Sequence, residues 1–305
     1  MIPKGWRKIG ANLDRPESVQ VGPDGTLYTS HRGHGVCQID PDGTQTLLAP
    51  MAEYGGTALL PNGIARLEDG SFLIANISDA GGIHHLKDGQ IRPYLTELDG
   101  APMPPVNFVT TDDTGRVWFS VSSRMRPRHL AYRRRVKDGF VGVIEKGQAR
   151  IVVDGLHYTN EVRPDLANGW LYVSETFSQK ISRFAISPDL KAGPKETFAQ
   201  LPKGAFVDGI ALDGRGGLYV ACIVSNEVFH VSATGQQTLI ASDRNDAWVD
   251  EVEAALDAGT MNRSHFDRTP GGVLRNVSSV ALRGQPPQEL VCGALLADYL
   301  VGIPL

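Results

Sequence analysis

ESVQVGPDGTLYTS, residues 17–30, is the first of several segments that share one pattern. Each segment starts with a polar residue, runs through a short apolar stretch to a turn that ends in glycine, and finishes in an apolar or aromatic run. The pattern returns as NGIARLEDGSFLIAN at 62–76, NFVTTDDTGRVWFSV at 107–121, NEVRPDLANGWLYVSE at 160–175 and DGIALDGRGGLYVAC at 208–222, with a weaker copy, SSVALRGQPPQELVCG, at 278–293. The leading residues lie 45, 45, 53, 48 and 70 positions apart. A period near 45 residues predicts four-stranded propeller blades.

The turns inside the repeats support this interpretation. Asp24-Gly25, Asp69-Gly70 and Asn168-Gly169 are tight-turn dipeptides, so each repeat is predicted to form a hairpin. The third and fourth strands of a blade follow, with turns such as Asp42-Gly43 and Thr234-Gly235 between them. We therefore expect an all-β chain that forms one six-bladed β-propeller domain over its full length, residues 1–305.

Three further stretches fall outside the repeats. Residues 6–13 have no partner in the first blade, so we expect them to add the outer strand of the last blade and to hide two sheet edges. Residues 123–138 in blade three and 242–276 between blades five and six are insertions. In the second insertion we expect one short helix, capped by Asn245, with apolar residues at regular helical spacing and with Gly259 at its end. Both insertions are predicted to form a lid over one mouth of the channel.

Composition limits the classes of function. The net charge is −4 and the pI about 6.1, so no long-range positive field attracts nucleic acid. The chain has no run of 18 apolar residues, and residues 1–10 lack the apolar core of a signal peptide. The three cysteines are scattered and form no CxxC pair, which is typical of a reducing compartment. We expect a cytoplasmic protein without nucleic-acid or membrane partners, and the oligomeric state is left open.

The leading residues of the six repeats all offer an oxygen atom: Glu17, Asn62, Asn107, Asn160, Asp208 and Ser278. In a propeller the innermost strands line the central channel, so equivalent positions form a ring around one axis. Carboxylate and amide oxygens suit a hard divalent cation, and a ring without Cys or His is unlike a structural zinc site. An alternative is that Asn and Asp lie there because they favour turns at strand starts. That alternative accounts for one or two of the six positions, so we favour a metal site.

These motifs resemble those of the SMP-30/gluconolactonase/LRE family, also called the regucalcin-like family. The similar segments are PESVQVGPDGTLY around Glu17, TNEVRPDLANGWLYVSET around Asn160 and FVDGIALDGRGGLYVAC around Asp208, and the resemblance extends over nearly the whole chain. It implies a six-bladed propeller with one divalent ion bound by Glu17, Asn160 and Asp208. Calcium is the first choice, with zinc, manganese or magnesium as alternatives. Asn107 is similar to a fourth family position that contacts the metal or the substrate.

The resemblance implies a metal-dependent hydrolase that opens a small lactone, with Asp208 as base or nucleophile. Family enzymes for sugar lactones often carry Arg-x-Asn-Asp on the third inner strand, where this chain reads PVNF at 105–108. The identity of the lactone is therefore open. Two other classes also remain: a metalloenzyme of the same fold that catalyses isomerisation, C–C cleavage or phosphoester cleavage, and a non-enzymatic metal-binding interaction module.

The expected partner is a small-molecule substrate near the channel mouth. Its predicted contacts are Asn62, Asn107, His31, Arg124, His129 and Tyr158. The first insertion is rich in arginine, which pairs well with carboxylates. An acidic substrate and a plain solvated basic loop are both consistent with that run of charge. His157 is an alternative base because it lies close to Asn160 in sequence.

Overall fold

The computed structural model describes residues 1–54 and 56–305 and shows a ring of six four-stranded antiparallel sheets. The chain starts with β1 (Arg7–Ile9), and blade one follows with β2 (Val19–Val21), β3 (Leu27–His31), β4 (Gly35–Ile39) and β5 (Gln45–Leu47). After a small hairpin of β6 (Glu53–Tyr54) and β7 (Thr57–Ala58), blade two consists of β8 (Pro61–Arg66), β9 (Phe72–Asn76), β10 (Ile83–Lys87) and β11 (Gln90–Leu95). After a second small hairpin of β12 (Glu97–Leu98) and β13 (Ala101–Pro102), blade three consists of β14 (Val106–Thr111), β15 (Val117–Val121), β16 (Gly139–Glu145) and β17 (Gln148–Leu156).

The second half completes the ring. Blade four consists of β18 (Thr159–Asp165), β19 (Trp170–Glu175), β20 (Lys180–Ala185) and β21 (Glu196–Gln200). Blade five consists of β22 (Val207–Leu212), β23 (Leu218–Cys222), β24 (Glu227–Val231) and β25 (Gln237–Ser242). Helix α1 (Asp246–Asp257) follows, and blade six then contains β26 (Val277–Arg283), β27 (Glu289–Ala294) and β28 (Leu300–Pro304). Short 3-10 helices lie at Arg128–Ala131, Thr176–Ser178 and Arg263–His265. The predicted propeller and its predicted hairpins are confirmed.

The ring closes through the N-terminal stretch, as the sequence predicts. Strand β1 pairs antiparallel with β28, with Lys8 opposite Val301. Blade six therefore takes three strands from the end of the chain and its outermost strand from the beginning. This arrangement ties the two ends of the ring together and covers the edge of β28.

The core is divided by blade interfaces. Six apolar clusters lie between neighbouring blades, one at each interface around the ring. Each sheet buries both faces because a blade packs between two others, which explains the nearly continuous burial of the inner and second strands. A seventh cluster lies outside this pattern, beneath the two insertions.

Helix α1 has the predicted limits. The Asn245 side chain accepts a hydrogen bond from the backbone N–H of Trp248, which caps the N-terminus. Gly259, with φ +67°, follows the last turn and donates to the carbonyl of Leu256. Trp248, Val252 and Leu256 are buried in the seventh cluster. Among the described residues, no helix is long and apolar enough to cross a membrane.

The two insertions pack against each other at one end of the channel. Tyr132 of the first insertion is 1% exposed, and its ring lies 5.4 Å from that of Phe266 in the second. Arg134 of the first insertion pairs with Glu253 and Asp257 on α1, and its Nη1 atom donates to the carbonyl of Phe177. The insertions therefore form one joint cover, here called the lid, as the sequence predicts.

Candidate functional site

The pairing of the inner strands is irregular at the leading residues of the repeats, here called the ring residues. In five of the six blades the pairing between the first and second strands shifts register at that position, around Asn62, Asn107, Asn160, Asp208 and Ser278. A β-bulge bends its strand and changes the direction in which a side chain points. Four of these five residues, all except Ser278, have side chains that line the cavity on the axis.

Serine hydroxyls hold the backbone of this ring. Ser278 Oγ donates to the carbonyl of Glu17 at 3.0 Å, and Ser174 Oγ donates to that of Asp208 at 2.7 Å. Ser120 Oγ donates to the carbonyl of Asn160. Because these bonds link neighbouring blades, the ligand positions are fixed by the whole ring rather than by a flexible loop.

Five of the six ring residues, all except Ser278, line one cavity under the lid. It is lined by Arg15, Glu17, Asn62, Ile77, Asn107, Arg128, Tyr132, Tyr158, Asn160, Thr176, Asp208, Ile223, Arg263, Phe266 and Leu295. The structure thus brings together the three residues of the predicted metal site. It also places three of the predicted substrate contacts there: Asn62, Asn107 and Tyr158.

The donor set fits a hard divalent cation. Oε2 of Glu17 is buried and has no hydrogen-bond donor among the described residues. Asn160 directs Nδ2 toward Thr176 Oγ1, at 3.4 Å, which leaves its Oδ1 atom for the cavity. Asp208, 4% exposed, adds a second carboxylate. Oxygen donors of this kind match calcium, magnesium or manganese better than zinc. The described residues contain no cluster of three His, Cys, Asp or Glu side chains, so an amide oxygen is needed to complete a three-residue set.

Arg15 is a cavity residue that the repeat pattern does not reveal. Its Nη1 atom lies 3.1 Å from Oε2 of Glu17, although the angle is not that of a hydrogen bond. The same guanidinium donates to the Pro61 carbonyl and to Asn62 Oδ1, both at 2.7 Å. Asn62 in turn donates to the carbonyl of Asn107 at 2.9 Å. The amide of Asn62, predicted to contact substrate, is thus occupied in holding Arg15 and the next blade.

The carboxyl groups on the axis are strongly perturbed. Burial raises the pKa of Asp208 well above its usual range, and the nearby charges of Glu17 and Glu161 raise it further. Burial also raises the pKa of Glu17, against the opposing effect of Arg15. Glu161 lies one residue beyond Asn160, is 3% exposed and pairs with Arg163 at 2.7 Å. Burial raises the pKa of Glu161 to about 7. A positive charge at the axis would stabilise the ionised forms of these acids.

Three predicted substrate contacts lie away from the cavity lining. His31 ends β3 with its Nδ1 atom 3.3 Å from the carbonyl of Arg32 and its ring against that of His34. Arg124 pairs with Asp154 at 2.9 Å and stacks over Phe140, on the outer part of blade three. His129 is exposed on the lid surface. His157, the alternative base, is likewise outside the lining, and its backbone N–H donates to Glu175.

Four polar residues of the cavity were missed or given no role in the sequence analysis: Arg15, Tyr132, Thr176 and Arg263. Arg128 was considered only as part of a basic run. A usable signal exists for three polar residues of the lining, because Arg128, Tyr132 and Arg263 lie in insertions that interrupt a regular repeat. Arg15 has a backbone φ of +58°, which is uncommon for a residue with a side chain and cannot be read from sequence.

The architecture and the site define a class of protein: a six-bladed β-propeller with an oxygen-lined, lid-covered site on its axis. Residues 16–242, most of the chain, match the SMP-30/Gluconolactonase/LRE-like region. The chain belongs to this family. No curated protein matches its sequence.

Solved structures share the fold at low sequence identity. A gluconolactonase from Xanthomonas campestris superposes with a TM-score of 0.71 at 19% identity, over 97% of this chain and 88% of that chain. The calcium-binding protein regucalcin from Agrobacterium tumefaciens gives 0.63 at 14% identity, over 97% and 94%. Virginiamycin B lyase from Staphylococcus aureus gives 0.61 at 15% identity, over 98% and 99%. At these identities the likeness shows the fold and not the reaction.

Proposed function

We propose that this protein is a metal-dependent hydrolase that opens a small lactone, with its site formed by Glu17, Asn160 and Asp208. The observation that carries the proposal is the convergence of these three oxygen donors in one covered cavity, with a buried Glu17 oxygen that lacks a hydrogen-bond donor. Family membership and the likeness to a gluconolactonase and to a calcium-binding regucalcin support it. Calcium is the proposed ion.

The reaction adds water to the ring carbonyl carbon and breaks the ring C–O bond, so that a hydroxy acid is released. A divalent ion, when bound, would polarise the carbonyl as a Lewis acid. Asp208 would take the proton of the attacking water, or attack the carbonyl itself, and its buried position keeps competing bulk water away. Asn107 and Asn160 would orient the substrate oxygens. The lid excludes solvent from the reacting groups.

The test is turnover of a panel of sugar and non-sugar lactones, followed as acid release, by protein stripped with EDTA and then reloaded with one ion at a time. We expect no activity after EDTA treatment and recovery with calcium or a similar ion. Metal analysis should find one ion per chain, and fewer in Glu17→Gln.

The same experiment separates the alternatives. A chain that binds one ion but releases no acid from any lactone would favour another reaction at the metal, such as isomerisation, C–C cleavage or phosphoester cleavage. Binding of an ion without turnover of any substrate class would favour an interaction module. A chain that binds no divalent ion would exclude the metal-dependent reaction.

A further inference from the structure

Five charged side chains line the axial cavity: Arg15, Arg128, Arg263, Glu17 and Asp208. Three cations therefore oppose two carboxylates, although the net charge of the whole chain is −4. A divalent ion held by the carboxylates would increase this local excess of positive charge. Because Arg15, Glu17 and Asp208 are buried, the excess of positive charge favours an anionic ligand more strongly than it would on an open surface.

The three cavity arginines differ in their partners. Arg15 is paired with Glu17, and Nε of Arg263 lies 2.8 Å from Oδ1 of Asp267 outside the cavity. Among the described residues, Arg128 forms neither an ion pair nor a hydrogen bond, although it is partly buried and lines the cavity. A guanidinium that lines a cavity and has no acceptor of its own is available to bind an anionic ligand.

Other arginines of the first insertion have structural partners instead. Arg124 pairs with Asp154, and Arg134 pairs with two acids of α1. Arg133 donates from Nη1 to the carbonyl of Met261 at 3.0 Å, which joins the two halves of the lid. Arg124, Arg133 and Arg134 all lie outside the cavity lining. Arg124, Arg133 and Arg134 thus have structural partners, whereas Arg128 faces the site.

The charges of Arg128 and Arg263 also change the pKa of the neighbouring Tyr132. Burial alone would raise the pKa of Tyr132, but the positive charges of Arg128 and Arg263 outweigh burial and lower it. Arg128, Tyr132 and Tyr158 line the same cavity, so the charge of Arg128 acts within that cavity.

We propose that Arg128, with Arg263 beside it, binds a carboxylate of the substrate at the lid end of the cavity, while the ester group faces the axial oxygens. The planar guanidinium fork matches a carboxylate in shape and charge. Ile77, Ile223 and Leu295 line the remaining wall and suit a carbon skeleton rather than a polyhydroxylated ring. This inference deepens the proposed function, because it names the substrate class as a small lactone that carries a carboxylate. The lactone part of the inference rests on the proposed function.

The first experiment compares γ-butyrolactone-γ-carboxylate with its uncharged methyl ester. The wild type should have the higher kcat/KM for the acid. Arg128→Met should lower the acid-to-ester ratio of kcat/KM by about 10-fold to 100-fold, the range expected for lost hydrogen bonds to a charged group. Arg135→Met is the matched control, because Arg135 is exposed on the same insertion and outside the lining, and it should leave the ratio unchanged. Arg128→Lys keeps the charge and should retain part of the preference.

A second readout does not depend on turnover. The open hydroxy diacid should bind to the wild type and to Arg135→Met in calorimetry, and Arg128→Met should weaken that binding by a similar factor at an unchanged Tm. Diacid binding that depends on Arg128 in a chain that opens no lactone would support the anion site and overturn the lactonase proposal. Lactone turnover with no preference for the acid, and with the ratio unchanged in Arg128→Met, would overturn the anion site and leave the lactonase proposal intact.

Discussion

At the residue scale, Asp208 and Arg15 decide what the axial site can do. Asp208 combines a position on the ring with a carboxyl group whose pKa burial raises, so it is suited both to bind a cation and to accept a proton. Arg15 places a fixed positive charge 3.1 Å from a Glu17 oxygen. Asp208 is expected to bind the metal ion, whereas Arg15 is expected to repel it. Each expectation can be tested by substitution.

Asp208→Asn separates the role of ligand from that of base. Asparagine keeps an oxygen donor but cannot accept the proton, so the variant should retain its ion at saturating metal and lose about 100-fold to 10,000-fold in kcat. Metal content and turnover are measured on the same sample. Asn160→Asp keeps an oxygen ligand and adds charge, so it should lose less. Near-normal turnover by metal-loaded Asp208→Asn would place the base on another residue.

Arg15→Met tests competition at Glu17. At an effective dielectric of about 20, two unit charges 4 Å apart interact by about 4 kcal/mol, so even a third of this value changes affinity about tenfold. Because the guanidinium repels an incoming cation, we expect the variant to bind calcium at least about tenfold more tightly in calorimetry. Arg135→Met should bind calcium as the wild type does. Unchanged or weaker binding by a variant with wild-type Tm would mean that Arg15 supports the site rather than opposing the ion.

At the scale of elements, the lid is held to the propeller by specific side chains. Tyr132 is fully buried in the cluster beneath the insertions, so removing residues 125–136 as a block would take a core residue with them. The contribution of the lid is better tested by single changes at its contacts. Arg134 has the most contacts of these residues, since it reaches α1 twice and the short 3-10 helix after β19 once.

Arg134→Met should loosen the lid without altering the axis. Loss of the ion pairs leaves Glu253 buried beside only Gln179 and the backbone N–H of Gly204, and we expect a loss of about 1–3 kcal/mol in the free energy of unfolding. Limited proteolysis should cut the first insertion faster, while calcium affinity stays constant. Arg135→Met serves again as the control. Equal proteolysis of both variants would show that the apolar cluster alone holds the lid.

Strand β10 gives a prediction for pH. His84 is 1% exposed, neither ring nitrogen has a partner among the described residues, and burial lowers its pKa to about 4 from the ordinary 6.5. Between these values the unfolded chain binds a proton that the folded chain does not, so the free energy of unfolding falls as pH falls from 6.5 to 4. His84→Phe should lose less stability than the wild type between pH 7 and pH 5 in urea unfolding. The same pH dependence in both proteins would assign the effect to other groups.

At the scale of the whole molecule, the ring depends on its closing strand. Removing residues 1–10 deletes β1, exposes the edge of β28 and uncovers the apolar cluster to which Ile9 belongs. We expect a Tm lower by about 5–15 °C and faster aggregation in light scattering, since large core deletions and unpaired edges both destabilise. Ile9→Val keeps the strand and should shift the Tm by a few degrees at most. A truncated chain with wild-type Tm would show that the blade interfaces hold the ring without closure.

The sequence by itself determined the blades, the closing strand, helix α1 and the ring of oxygen donors. These features are local or periodic: turn dipeptides, a cap at Asn245 and a repeat near 45 residues place equivalent positions on one axis without knowledge of distant contacts. The sequence also indicated which stretches interrupt the frame. It gave no means of deciding which side chains of those stretches face inward.

Only the tertiary structure decided the charge of the cavity. Arg15, Arg128 and Arg263 are more than 100 residues apart and occupy no equivalent repeat positions, so no spacing relates them. Packing of the lid turned Arg128 toward the axis and left Arg124 and His129 outside the lining, against expectation from their shared basic run. The physical reason is that the direction of an insertion side chain depends on which neighbours bury it, and those neighbours come from other blades.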